Sequence, residues 1–361
     1  MFRIIYEPHS TLDKPYISVV ITAYDRKEFI QEAVQSIIDQ KLEREKFEII
    51  VVKNFIDDRI DEFLSRSSVV NVYSDEKPLG AKLAYGIEKA KGEVISFLED
   101  DDLFLPFKLG EVYELFQDNK DIVYFKNEII RLKNVKDASV RLKEIVDIPL
   151  DRQIFQGKEL DSVAKISFMI RKFNGDFNLS SMSIRKEYYL SCIVNLNKVV
   201  NLLDFAIFIW PFFIKDEKLT LVFQKKPLSV WRVHESASNS GFNPSIGEIA
   251  RKHILNMQIA IETLKIWINL LENYVSEDFV KEYTSLKTYF RLFINDSSLT
   301  MKLAKGEQLT PSEIANLLKF SRYRYRRDLY TFGLLFLAFL SYFTPSISGR
   351  IFRWAMWKFK F

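Results

Sequence analysis

The chain reads as an α/β protein with an open, Rossmann-like, mostly parallel sheet and helices on both faces. Three observations predict it. Residues 17–22 (ISVVIT) form a continuous apolar run rich in β-branched residues, residues 47–52 (FEIIVV) read as a second buried strand, and further strands follow at 69–73 (VVNVY) and 94–98 (VISFL). A continuous apolar run of that length marks a strand buried on both faces of a parallel sheet. Segments with helical spacing fill the intervals, and the β-α-β-α-β-α-β rhythm takes about 85 residues.

The elements follow in order. Residues 28–40 place Phe29, Ala33, Ile37 and Ile38 at helical spacing. Residues 60–64 belong to a short helix. Residues 80–91 set Leu83, Ile87 and Ala90 on one face, and Gly92 is placed to end the helix. Residues 126–165 are charged and weakly periodic, and read as an insertion or irregular region. A strand is expected within 177–184 and a helix opening over 185–190. Residues 199–214 are apolar around one acid, Asp204. Short strands are expected at 219–223 and 228–233, and amphipathic helices from 246 to about 320.

Composition excludes several classes. The 361 residues are 48% hydrophobic and 28% charged, ordinary for a folded chain and unlike a disordered one. A single cysteine, Cys192, excludes a disulfide scaffold and a zinc ribbon. Three histidines exclude a histidine-rich metal site, and His9 and His253 read as structural. The N-terminal MFRIIYEPHSTLDKPY lacks the apolar core of a signal peptide, so the body is expected in the cytoplasm.

Chemistry concentrates where a strand ends in acids. Glu99, Asp100, Asp101 and Asp102 close the fourth run. Four adjacent carboxylates repel one another unless a cation sits among them. The carboxyl end of a central strand is where such sheets hold ligands. Oxygen ligands suit Mg²⁺ or Mn²⁺ bridging to phosphates. A solvated acidic loop is the plainer alternative. The turn after the first run, Ala23-Tyr24-Asp25-Arg26, has no glycine, so the dinucleotide fingerprint is missing, and no P-loop exists. A flat ring beside a carboxylate suits a nucleobase.

Together, ISVVITAYDR, EIIVVKNF and PLGAKLAYGIEKAKGEVISFLEDDD resemble the successive motifs of family-2 inverting glycosyltransferases. That family has the nucleotide-sugar-binding fold called GT-A. The similarity covers residues 16–110 closely and 177–240 loosely. The resemblance implies residue roles. Thr22, Ala23, Tyr24 and Asp25 fill the first nucleotide-binding turn, usually P-x-Y-N. Asn54 stands where the second motif, usually V-D-D-G-S, reads the base, and Lys53 replaces an acid there. Lys82 faces the donor diphosphate. Glu99-Asp100-Asp101 fills the D-x-D slot, with Asp101 as principal metal ligand and Asp102 adjacent. Phe177 through Met182 floor the donor sugar.

Trp231-Arg232-Val233-His234 resembles the family's late Y-R-x-H element. Arg232 is thereby assigned to the donor, and His234 to the metal or the diphosphate. Alternation along a strand puts both on one side. A satisfied histidine is the alternative for His234. An inverting transfer also needs a carboxylate base, which the family places after the segment matching Ser180 to Arg185. The next acids are Glu187 and Asp204. Asp204 is preferred, because its neighbours Leu202, Leu203, Phe205 and Ala206 are apolar and such surroundings raise a carboxyl pKa. A helix cap is its alternative role.

The last 40 residues differ from the rest. From Arg322 onward there are eight Lys/Arg and one acid, a net of +7 in a chain of +4, which leaves −3 on the first 321 residues. Residues 329–349 carry no charge, and the first 15 of them (LYTFGLLFLAFLSYF) are strongly apolar. That is borderline for a span, which needs about 20. Basic aromatic flanks suit a helix in the plane of an anionic surface. The alternative is a core helix or the dimerisation helix of a homo-oligomer.

Three regions are therefore expected: a GT-A domain over 1–240, helices over 241–321, and a membrane-associating tail over 322–361. The expected activity is transfer of a sugar from a nucleotide-diphosphate donor to a glycan or lipid-linked acceptor. It would use Mn²⁺ or Mg²⁺ at the cytoplasmic face of a membrane, with no nucleic-acid partner. The tail would be peripheral or monotopic, with a single span left open. The rival readings are a sugar-phosphate nucleotidyltransferase and a degenerate GT-A scaffold that only binds.

Overall fold

A computed structural model describes residues 1–8, 14–133, 145–160, 162–199, 202–214, 216–234, 246–273, 284–316 and 329–359. His9, the side chains of Cys192 and His253, and the arginine run from 322 to 327 lie outside the described residues. The chain divides into two compact units, one of residues 1–159 with 175–237 and one of 160–174 with 238–361. The boundary expected at residue 240 also lies outside the described residues.

The first unit is an α/β fold. Its strands are β1 (Phe2–Tyr6), β2 (Ile17–Ala23), β3 (Phe47–Lys53), β4 (Val70–Ser74), β5 (Val94–Glu99), β6 (Leu103–Phe104), β7 (Ile122–Leu132), β8 (Arg152–Gln156), β9 (Met182–Arg185) and β10 (Thr220–Arg232). They form one sheet in the order β1-β4-β3-β2-β5-β9-β7-β10-β6, with β8 also paired to β10. The four predicted runs are β2 to β5, and they pair in parallel. Every residue of β2 is buried, as the unbroken apolar run requires.

Helices α1 (Ile30–Ile38), α2 (Asp58–Arg66), α3 (Leu79–Lys89) and α4 (Lys108–Asp118) cover this sheet. Val19 and Ile21 share a core with Ile30 and Val34 of α1, Ile60 and Leu64 of α2, and Leu109 and Val112 of α4. Val20, between them, points the other way. There α3 approaches so closely that a Cβ on Gly86 would lie 2.4 Å from Val20 Cγ1. Alternation along one strand thus feeds two layers of helices.

Beyond β5 the sheet turns mixed. β9 enters antiparallel between β5 and β7. The region expected to be irregular from 126 contains most of β7 and all of β8. Its polar residues misled, since Lys126 and Asn127 are buried in β7. The two short strands expected at 219–223 and 228–233 are one strand, β10, whose pairing with β7 shifts around Pro227. A proline has no N–H for the ladder, so the register breaks there while the strand continues.

The second unit holds α5 (Val163–Phe173). Before the next long helix the first unit adds α6 (Leu203–Ile209). The second unit then continues with α7 (Ile246–Asn273), α8 (Thr284–Lys305), α9 (Leu329–Phe343) and α10 (Pro345–Phe359). Leu337, Ala338, Phe352 and Met356 share a core with Leu299, Leu303, Ala304 and Leu309. The last two helices therefore pack into this unit rather than forming a region of their own. No described helix is long and apolar enough to cross a membrane.

Candidate active site

The turns after β2 and β3 meet. Asp25 has a left-handed backbone, φ 55°, a conformation that Asp tolerates better than most residues. Its N–H donates to Asn54 Oδ1 at 2.8 Å, and Asn54 Nδ2 donates back to Asp25 Oδ1 at 2.8 Å. The pair fixes both turns at the carboxyl edge of the sheet. The Tyr24 ring, 47% exposed, lies with Lys82 Nζ 5.1 Å from its centroid. Lys82 is buried, which lowers its pKa, and its ammonium bonds the Glu76 carbonyl. Lys53 turns inward. Its Nζ reaches Asp61 Oδ1 on α2 and the Phe55 carbonyl, each at 2.7 Å.

The acid cluster follows β5. Arg26 spans it, pairing with Asp100 Oδ1 through one guanidinium nitrogen and Asp101 Oδ2 through another. His234 Nε2 lies 3.0 Å from Asp101 Oδ2. Burial pushes the Asp100 carboxyl up to about 7 despite Arg26, and burial with its acidic neighbours raises Glu99 well above the usual range. Desolvation thus outweighs the attraction of one guanidinium. Among the described residues, Asp100 Oδ2 is buried with no hydrogen-bond partner.

Asp102 is differently placed. Its Oδ1 accepts the Arg232 backbone N–H at 3.0 Å, and its Oδ2 accepts Asn178 Nδ2 at 2.8 Å and Ser180 Oγ at 2.7 Å. Burial raises this carboxyl to about 7 as well. Three protein donors occupy it, so it locks β10 and the 178–181 turn to the end of β5. The Arg232 guanidinium is likewise engaged, with the Asp101 carbonyl at 2.8 Å and with Glu32.

Asp204 stands at the start of α6. Its Oδ2 accepts the Asn178 N–H at 3.1 Å and its Oδ1 the Phe205 N–H at 3.1 Å. The residue keeps partial solvent access, but protein surrounds the carboxyl. Burial, helped by Asp176, raises it to about 6, while those N–H groups pull it down. Asn178 therefore touches both ends of the site, with its backbone on Asp204 and its side chain on Asp102. Glu187 lies on the helical turn Lys186–Tyr189, just beyond β9.

The structure thus gathers Tyr24, Asp25, Asn54, Lys82, Asp100, Asp101 and His234 at one edge, directly after Thr22 and Ala23. It holds Asp102 and Arg232 in the frame beneath. The sequence assigned no role to Arg26 or to the buried Lys108, and placed Asn178 only within the 177–182 stretch. Lys108 Nζ donates to Asn127 Oδ1 at 3.0 Å, the Ser180 carbonyl at 2.6 Å and Ser229 Oγ at 3.1 Å. The signal for Arg26 was its place in the turn. Asn178 has φ 63°, and an asparagine before the Ser180–Ser181 pair is the only hint of it in the sequence.

Asp101, His234 and Asp100 are the residues that would hold a divalent ion at this edge. Asp101 and His234 offer a carboxylate and an imidazole side by side, and Asp100 has an unsatisfied oxygen. Among the described residues no three His, Cys, Asp or Glu side chains form a closed metal site. Ions of the Mg²⁺ type commonly bind through one or two carboxylates and complete their shell with substrate phosphates.

An open α/β sheet thus carries an aromatic–acid turn and an acid cluster together at its carboxyl edge. Residues 18–177, less than half of the chain, match the family model described as glycosyl transferase family 2. An uncharacterized glycosyltransferase of Rickettsia typhi is 32% identical over 146 residues, 38% of this chain and 45% of the relative. One from Methanocaldococcus jannaschii is 30% identical over 148 residues, 37% of this chain and 51% of the relative. The matches thus span about half the length of these relatives. In fold, the chain resembles the crystal structure of S. aureus TarS 1-349 in complex with UDP-GlcNAc. The TM-score is 0.50 at 11% identity, covering 95% of this chain and 92% of that one.

Proposed function

We propose that the protein is a metal-dependent inverting glycosyltransferase. It moves a sugar from a nucleotide-diphosphate donor to a hydroxyl of a glycan or lipid-linked acceptor at the cytoplasmic face of a membrane. The observation that carries this reading is the Asp101–His234 pair, set beside the Tyr24–Asp25–Asn54 turn in a family-2 domain. Tyr24 stacks the base, while Asp25 and Asn54 meet its polar edge. Lys82 supports the diphosphate. Asp101 and His234 would hold Mn²⁺ or Mg²⁺, which would supply positive charge to the leaving diphosphate. Asp204 takes the proton of the acceptor hydroxyl as its oxygen attacks the anomeric carbon and the nucleoside diphosphate departs. With a pKa of about 6, this carboxyl is ionised at neutral pH and close enough to it to act as a base.

The test is turnover of a panel of UDP-, GDP- and dTDP-sugars with Mn²⁺. The expected result is cleavage of at least one donor to nucleoside diphosphate and sugar, suppressed by chelation. Release of nucleoside triphosphate with added pyrophosphate would instead indicate a nucleotidyltransferase. Binding without turnover of any donor would indicate a scaffold.

A further inference from the structure

The helical hairpin α9–α10 has two unlike sides. Its inner side is committed to the second unit through Leu337, Ala338, Phe352 and Met356. Polar groups on that side are satisfied, with Ser348 Oγ donating to the Leu337 carbonyl at 2.7 Å and Arg353 Nη1 to the Ala304 carbonyl at 2.7 Å. Contact is so close that a Cβ on Gly349 would lie 2.5 Å from Gly306 Cα. Away from that core, Phe336 (61% exposed), Phe339 (58%) and Phe343 (63%) on α9, and Ile347 (50%), Ile351 (38%) and Trp354 (47%) on α10 are exposed. Their spacing puts each trio on one helical face. An apolar face of this kind marks a contact surface.

We infer that this outer face docks in the plane of an anionic lipid surface. The inference rests on the membrane reading above and gives it a surface and a geometry. Charge selects the occupant. Residues 322–361 carry a net +7, and Arg350 beside the face is exposed. A second copy packed face to face would bring two such charges together, whereas anionic lipid headgroups complement them. Phe and Trp beside an exposed arginine, Arg350, are the composition of interfacial helices. Length excludes a span by this hairpin. The 15 residues of α9 rise about 22 Å, short of the roughly 30 Å hydrocarbon core. Straightening past Pro345 would pull the inner side out of its core.

The test is flotation of the full chain with phosphatidylcholine vesicles, with and without phosphatidylglycerol, alongside light scattering without lipid. Wild type should float with the phosphatidylglycerol vesicles and far less with phosphatidylcholine alone. Phe339→Glu with Phe343→Glu should reduce that binding about tenfold or more, with an unchanged melting temperature because both side chains are exposed. Phosphatidylglycerol-independent flotation, or equal binding by the double variant, would overturn the inference. So would self-association that the double variant abolishes without any vesicle binding, which would make the face a homo-oligomer interface. Donor turnover in solution, measured in parallel, tests the catalytic reading separately, since flotation does not require activity.

Discussion

Lys53 replaces an acid in the second motif, yet its ammonium never reaches the donor side. Asp61 and the Phe55 carbonyl hold it inside, so the departure from the family pattern leaves the Asp25–Asn54 pair intact. Asp204 gives a sharper expectation. Because burial holds its carboxyl near 6, the ionised form is lost as pH falls through 6, and with Asp204 as the proposed base, turnover should fall with it. The linkage has the opposite sign for stability. The folded state binds this proton more tightly than the unfolded chain does, so this group's contribution declines as pH rises from about 4 to 6. Asp204→Asn should therefore cut turnover by about 10²–10⁴ without lowering the melting temperature at pH 7.5. Near-normal turnover would return the role of base to Glu187. Arg26 is the cation that the acid cluster now has. Arg26→Ala leaves Asp100 and Asp101 to repel each other. It should lower the melting temperature in chelator and enlarge the stabilisation by Mn²⁺ in thermal-shift measurements. An unchanged response to Mn²⁺ would separate Arg26 from the metal site.

Lys108 joins four pieces of chain beneath the acids: α4, β7, the 178–181 turn and β10. Burial drives its pKa well down, and its three donated hydrogen bonds tie those pieces together. Lys108→Met fits the space but orphans the acceptors on Asn127, Ser180 and Ser229. Denaturant unfolding should show a loss of about 2–4 kcal/mol, and a smaller effect would mean that water replaces the amine. The same residues explain what was legible. Strands β2 to β5 were plain in the sequence because apolar, largely β-branched residues dominate them and are buried on both faces. β7 was hidden because Lys126, Asn127 and Glu128 look like loop residues, although Lys126 Nζ is buried against Ser181 Oγ at 2.6 Å. The first turn and the acid cluster could be read from side-chain chemistry at strand ends. Asn178 could not, since its part depends on a left-handed backbone and on partners 26 to 79 residues away.

The chain is two compact units: an α/β unit built around one sheet, and a helical unit that includes the last two helices. The shared core changes the expectation for the tail. Removing residues 329–359 uncovers Leu299, Leu303 and Ala304, so the truncated chain should show rapid proteolysis within 246–316. Full protection there would mean that the hairpin is dispensable to the core. The account as a whole turns on whether the acids after β5 bind a donor diphosphate through a metal. Calorimetric titration of the full chain with nucleoside diphosphates, in Mn²⁺ and again in chelator, asks this directly, with Asp101→Ala as the paired protein. Wild type should bind at least one nucleoside diphosphate about tenfold or more tightly with Mn²⁺, and Asp101→Ala should bind it weakly and equally in both conditions. Affinity that is independent of Mn²⁺ in wild type, or a Mn²⁺ dependence that survives in Asp101→Ala, would contradict the assignment.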